Sequence, residues 1–206
     1  MYFTTMPSLL KKLFPSCIWE MPAEGNAVYL TFDDGPHEAA TPFVLDVLKQ
    51  HDAKGSFFCI GKNVVAHPEL YRRIREEGHA VGNHTYNHLN GWKTENDAYL
   101  EDVAKAAAVI DSGLFRPPYG RISRYQARHL SQAMDREAKL VMWSVLSGDF
   151  DPRISGEQCL RNVLRNVKPG SVVVFHDSAK AMPLLEYTLP RVCAFLVEKG
   201  YRLGRL

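Results

Sequence analysis

A parallel α/β architecture, closed or nearly closed into a β/α barrel, is the fold class the sequence predicts, with an open doubly wound sheet as its competitor. Three observations predict it. Short apolar runs alternate with helix-like segments about seven times along the 206 residues. Several runs are apolar at consecutive positions, as in strands covered on both faces. The unusual polar residues gather at the ends of these runs, where a barrel builds its sites.

The runs, in chain order, are AVYLTF (27–32), GSFFCI (55–60), HAVGNH (79–84), LFRPPY (114–119), KLVMWSV (139–145), SVVVFH (171–176) and YRLGRL (201–206). Each has the length of a strand. Between them, 42–51 places Val44, Leu45 and Leu48 on one helical face. Segment 68–78 opens on Pro68 and stops at Gly78, and 94–111 opens on Thr94 as an N-cap. Segment 155–167 sets Ser155 and Gln158 at capping-box spacing, and a last helix runs from about 183 to 199, before Gly200. No linker rich in Pro, Gly or Ser interrupts residues 27–206, which read as one domain behind an N-terminal extension, 1–26.

Composition excludes several classes. The chain is 46% hydrophobic and 23% charged, enough to build a core, and its net charge of +2 gives no nucleic-acid footprint. Cys17, Cys59, Cys159 and Cys193 are scattered, without zinc-ribbon spacing, and read as free thiols. No apolar run reaches the ~18 residues that span a bilayer. The N-terminus has no basic start followed by an apolar core, so a cytoplasmic location is expected, with peripheral membrane or cell-envelope association as the alternative. In that extension Leu9, Leu10, Leu13 and Phe14 form an apolar face beside Lys11 and Lys12. It is expected to pack on the domain rather than lie on a membrane, because Pro15 cuts the helix short.

The polar residues carry the chemistry. Asp33 and Asp34 follow the first run, and His84 and His88 close the third at a spacing that shares a helical face. Arg116 to Gly120 end the fourth, Asp149 follows the fifth, and His176 and Asp177 end the sixth. Each alone has a plain reading: a turn, a chance histidine pair, a surface ion pair, a core histidine. Together they would require five accidents on one face of the barrel. One carboxylate and two imidazoles make a ligand set with open positions, and a second carboxylate beside it can serve as base. Strand geometry points neighbouring side chains apart, so a turn beginning at Gly35 must bring Asp33 and Asp34 to one cavity.

The segments TFDDGP (31–36), HTYNH (84–88), RPPYG (116–120), WSVLSGDF (143–150) and VFH (174–176) resemble the ordered motifs of the polysaccharide deacetylases. This is the NodB-homology domain, also called carbohydrate esterase family 4. The resemblance implies a distorted (β/α)7 barrel and a metal-dependent hydrolase. Its substrate would be an acetylated glycan of peptidoglycan or chitin type, from which it removes N-acetyl groups. It makes Asp33 the base and Asp34, His84 and His88 the metal ligands, with zinc fitting best and cobalt or nickel as alternatives. Arg116 would orient Asp33, the Tyr119 N–H would stabilise the oxyanion, and His176 would be the acid, tuned by Asp149. Phe150, Val174 and Pro118 are expected to line the substrate pocket. Leu146 and Phe150 stand where the family has an aspartate and a tryptophan, and Val174 where it has a leucine, which bears on substrate preference. The alternatives are an O-acetyl esterase of xylan type, a non-sugar amide hydrolase and a silent glycan-binding domain. His37, His51, His67, His79 and His129 are expected to play no ligand role. Trp92 divides evenly between a sugar groove and the core.

Overall fold

The computed structural model describes residues 3–206, without the side chains of residues 8–10 and 24. Eight short strands form one curled, wholly parallel sheet, with helices on its outer face. The strands are β1 (Ala27–Asp33), β2 (Ser56–Cys59), β3 (Ala80–Asn83), β4 (Leu114–Phe115), β5 (Lys139–Leu140), β6 (Val145–Leu146), β7 (Val172–His176) and β8 (Arg202–Gly204). The order is β5-β4-β3-β2-β1-β7-β6. The first half of β1 pairs with β8 and the second half with β2.

Consecutive apolar residues are needed because both faces of β1 are buried. Val28, Leu30 and Phe32 face the helices, while Ala27 and Tyr29 join Phe58, Val141 and Val172 inside the barrel. Phe32 is fully buried, with ring centroids 5.0 Å from Phe57 and 6.1 Å from Phe175. The main outer cover is α2 (Ala40–Gln50), α7 (Gly156–Leu164) and α8 (Met182–Glu198). α5 (Asn96–Ala107) and α6 (Arg124–Ala133) pack together over β4.

The expected strand over 139–145 is two strands. β5 ends one edge of the sheet and β6 the other, and residues 141–144 cross the gap between them. The barrel is therefore closed by a chain crossing and not by a strand pair. The N-terminal segment lies along that crossing. Ile18 N–H donates to Leu140 O (2.8 Å), Met142 N–H to Ile18 O (2.8 Å) and Leu146 N–H to Thr4 O (2.8 Å). Docking thus runs through the residues flanking the short helix α1 (Ser8–Leu13). On α1 and its C-cap, Leu13 and Phe14 stay 59% and 42% exposed, against the expected packed face, while Leu9 and Leu10 side chains lie outside the described residues.

Two caps differ from expectation. Helix α5 starts at Asn96 without a side-chain cap, because the Thr94 hydroxyl donates to Asn90 O instead (2.9 Å). A full capping box sits at Ser123–Gln126, at the start of α6, and at α7 Ser155 accepts from Gln158 N–H. Helices α3 (Gly61–Ala66) and α4 (Pro68–Glu76) fall between β2 and β3, and the chain leaves α4 through Gly78 at φ 80°. No described helix is long and apolar enough to cross a membrane.

Phe32→Ala should cost about 3–5 kcal/mol, the transfer loss plus an unfilled cavity between two rings. Urea unfolding should report this as a lower midpoint with an unchanged slope.

Candidate active site

At the top of β1 the chain separates its two carboxylates by a change of backbone hand. Asp33 is the last strand residue and faces the barrel interior with Thr31. Asp34 turns at φ 83°, so the turn begins at Asp34 itself, one residue earlier than expected. Gly35 follows at a close approach: a Cβ there would sit 2.0 Å from Asp177 Oδ2. Gly35 N–H donates to Asp177 Oδ1 (3.0 Å), and the Thr41 hydroxyl donates to Asp177 Oδ2 (2.6 Å). Asp177 is fully buried and fastens this turn from below. Burial, opposed by the Thr41 hydrogen bond and reinforced by the Asp34 charge, pushes its carboxyl up to about 8.

Arg116 is also fully buried, in the barrel interior. Its Nη1 donates to Asp33 Oδ1 and to Thr31 Oγ1, each at 2.7 Å. Nη2 donates to Met142 O (2.9 Å) and Nε to Val141 O (3.3 Å). The guanidinium carbon lies 4.0 Å over the Phe58 ring. Burial lowers the guanidinium pKa, and the Asp33 carboxylate opposes that. A surface ion pair is excluded here.

His84 and His88 do not share a helix. They bracket a loop in which Thr85 and His88 themselves have left-handed φ (62° and 60°). Asp102 on α5 holds the loop, accepting Tyr86 N–H (2.8 Å), Asn87 N–H (2.9 Å) and Asn87 Nδ2–H (2.6 Å). His88 Nε2 lies 3.1 Å and His84 Nε2 3.7 Å from Asp34 Oδ1, and the three ligand atoms fall within 4.8 Å of one another. Asp34 Oδ1 is buried without a hydrogen bond. His84 Nδ1–H donates to Arg116 O (2.7 Å), which leaves the Nε2 lone pair for a ligand role. Burial pushes His84 down to about 4 and keeps it neutral, the form that binds metals. Burial resists ionisation of Asp34, but the close His88 imidazole, then His176 and His84, hold its carboxyl well below the usual range. An orphaned carboxylate oxygen facing two imidazole nitrogens fits a divalent cation, and this set can hold one.

On the other side, His176 ends β7 in direct register with Asp33. Asp149 Oδ1 lies 2.8 Å from His176 Nδ1, and its Oδ2 accepts the His176 N–H (2.7 Å). The Ser147 hydroxyl donates to the same carboxylate (3.0 Å), and Asn162 on α7 fixes Ser147 through its carbonyl (2.8 Å). Burial pulls His176 down, but the Asp149 charge and hydrogen bond prevail and raise it to about 9. Phe150 meets the His176 ring edge-on at 5.3 Å. Val174 is buried one layer beneath His176 on the same strand face.

Tyr119 has φ 60° and sits in a short turn, Pro118–Gly120, closed by Gly120 N–H and Arg121 N–H on Pro117 O and Pro118 O. Its own N–H is not used in that closure. Its ring is 62% exposed and lies 4.7 Å from His88. Pro118 is buried beneath it. His79 is a satisfied core histidine whose Nδ1 accepts Gly55 N–H (3.0 Å), and His37 Nδ1 accepts Ala39 N–H (3.2 Å). Trp92 is 63% exposed, which removes it from the core. Asp102 and Asn162 lie outside the motif segments, and Thr31 and Ser147 lie within them but are not singled out by the sequence. Each hydrogen-bonds a motif residue: Asp102 and Asn162 from helices, Thr31 across the barrel to Arg116, and Ser147 to Asp149 within its own segment.

The sequence profile of the polysaccharide deacetylases matches residues 20–136, more than half of the chain. The chain is 40% identical over 157 residues to a peptidoglycan-N-acetylglucosamine deacetylase of Bacillus cereus, covering 73% of this chain and 56% of that protein. It therefore spans little more than half the length of that relative. A second Bacillus cereus protein of the same name is 32% identical over 202 residues, covering 94% of this chain and 93% of its own. Among solved structures, a peptidoglycan N-acetylglucosamine deacetylase superposes with a TM-score of 0.83 at 34% identity, over 93% of this chain and 92% of that one. With the curled parallel barrel and the Asp–His–His cluster at its rim, these matches establish that the chain belongs to the polysaccharide deacetylase family, carbohydrate esterase family 4.

Proposed function

We propose that the protein is a metal-dependent deacetylase that hydrolyses N-acetyl groups on N-acetylglucosamine-containing glycans and releases acetate. The observation that carries the reading is the register of β1 on β7, which sets Asp33 and His176 side by side with opposite partners. Asp33 is held by a cation and His176 by an anion. That is the division between a base and an acid working on one bond.

The residues divide the work as follows. Asp34, His84 and His88 would hold a divalent ion, for which zinc suits the two nitrogens and one oxygen best. Such an ion polarises a carbonyl oxygen and lowers the pKa of water. Asp33 takes the proton of the attacking water, and Arg116 fixes that carboxylate. The Tyr119 N–H donates to the oxygen of the tetrahedral intermediate. His176 gives its proton to the leaving amine, and Asp149 keeps it charged. Phe150, Val174 and Pro118 bound the space for the acetyl group. Residues 27–206 form the catalytic unit and 1–26 an extension, of which Thr4, Met6 and Ile18 bond to its seam.

Acetate release from a chitooligosaccharide tests this. Metal-stripped protein should be inactive, and zinc or cobalt should restore release. Asp33→Asn should lower kcat about 10²–10⁴-fold while the fold holds, because the amide still accepts from Arg116. Asp33→Ala would also strand a buried cation.

The pH profile has a defined sign. His176 acts protonated, so activity should persist to high pH and fall as pH rises through about 9. Asp149→Asn removes the group that raises this pKa, so the descending limb should move to about 6.5 or below. An unmoved limb would remove His176 as the acid.

His176→Ala also separates the bond types. Amide cleavage should fall about 10²–10⁴-fold, and cleavage of an acetyl ester by much less, because an alkoxide leaves without full protonation more readily than an amide nitrogen.

A further inference from the structure

A groove of about 670 Å³ lies beside the candidate site, between the N-terminal segment and the stretch from Tyr119 to Arg128. Phe14, Trp19, Leu140, Met142 and Trp143 line it. These walls are mostly carbon. A glycan strand carries polar groups all along its length, and buried polar groups need partners. The tryptophan and tyrosine faces can stack on a sugar ring at the open side, but the aliphatic and phenyl walls of Phe14, Leu140 and Met142 offer no partner to sugar hydroxyls, so along them a sugar polymer is not the complement. A hydrocarbon chain is, and the volume lies in the range of small-molecule sites.

The charge is one-sided. Arg121, Arg124 and Arg128 are the charged side chains of the lining, and no carboxylate accompanies them. Arg121 lies 3.9 Å over the Trp92 ring, and none of the three forms an ion pair among the described residues. A guanidinium fork matches the oxygens of a phosphate. The Trp143 Nε1–H, in the same wall, is buried with no acceptor. The groove also joins the site. Tyr119 belongs to both, with its ring against His88, and Arg121 follows it by two residues.

We infer that this groove binds the apolar chain and phosphate of a lipid-linked glycan, so that the N-acetyl group offered to Asp33 and His176 belongs to a sugar still joined to its lipid phosphate. The inference rests on the deacetylase reading and names the substrate class of that site. The bond change is the same: water oxygen joins the acetyl carbon, the carbon–nitrogen bond breaks, acetate leaves and the amine keeps the proton. The lipid phosphate takes no part in it and serves to hold the sugar in place.

All three tryptophans of the chain, Trp19, Trp92 and Trp143, line the groove, so their fluorescence reports its occupancy directly. Titration with farnesyl diphosphate should change the emission saturably. Farnesol should bind about tenfold more weakly, and inorganic diphosphate alone should leave the emission unchanged. The double variant Arg124→Glu, Arg128→Glu should lose about tenfold in affinity for farnesyl diphosphate. In acetate release, the wild type should prefer an N-acetylglucosamine disaccharide on farnesyl diphosphate over the free disaccharide. The double variant should lose that preference while its rate on the free sugar stays unchanged.

Equal responses to farnesyl diphosphate and farnesol would overturn the inference, as would binding to phosphatidylglycerol vesicles without any response to soluble farnesyl diphosphate. Deacetylation of the free disaccharide without preference for the lipid-linked form would overturn it too, and leave the deacetylase reading standing. No acetate from either sugar in zinc-loaded, folded protein would instead remove the deacetylase reading.

Discussion

The Arg116–Asp33 pair is the contact on which the rest of the site depends. A guanidinium in the middle of a barrel has lost its water, and its burial is tolerable only if its donors are spent. Here they go to the Asp33 carboxylate, to Thr31, and to the carbonyls of Val141 and Met142. The last two belong to the crossing that closes the barrel. One side chain therefore ties β1 and the end of β4 to the seam, and fixes a carboxylate at the rim in the same act. Its own carbonyl accepts the His84 Nδ1–H and so decides which nitrogen of that ring faces Asp34.

Around this centre the site divides charge by position. Asp33 has a cation beneath it, and His176, its neighbour in register, has an anion. Asp34 has neither, and is left with an unpartnered oxygen between two imidazoles. Three carboxylates within a short stretch of rim thus face three different environments: Asp33 a guanidinium, Asp34 two imidazoles, Asp177 a hydroxyl and an amide. Desolvation acts on both Asp34 and Asp177, and the partners decide the outcome: the imidazoles hold Asp34 low, while burial wins at Asp177.

The backbone supplies what side chains alone do not. Asp34, Thr85, His88 and Tyr119 all have left-handed φ, an unusual conformation for residues with a Cβ, and all lie at the rim. Such conformations persist where surrounding contacts over-determine them. The fastenings are visible: Asp177 and Asn63 on the Asp34–Gly35 turn, Asp102 on the histidine loop, and a doubly closed turn at Tyr119.

What the sequence by itself determined follows from local chemistry. The alternation of apolar runs with amphipathic segments gave the parallel sheet and its helices, because buried strands and half-buried helices need those patterns wherever they sit. The polar residues at the run ends placed the candidate site residues together, because strand ends of a barrel share one face. The tertiary structure decided the rest. That Asp34 leaves the strand before Gly35, that His84 and His88 meet across a loop and not along a helix, and that Asp102 holds them are outcomes of contacts between segments far apart in the chain. The division of 139–145 into two edge strands, and the N-terminal segment laid over their crossing, likewise depend on where the sheet runs out of neighbours. Hydrophobic period and cap chemistry are properties of a few consecutive residues. Backbone hand at a rim, and the partner a buried charge finds, are set only when the whole barrel has closed around them.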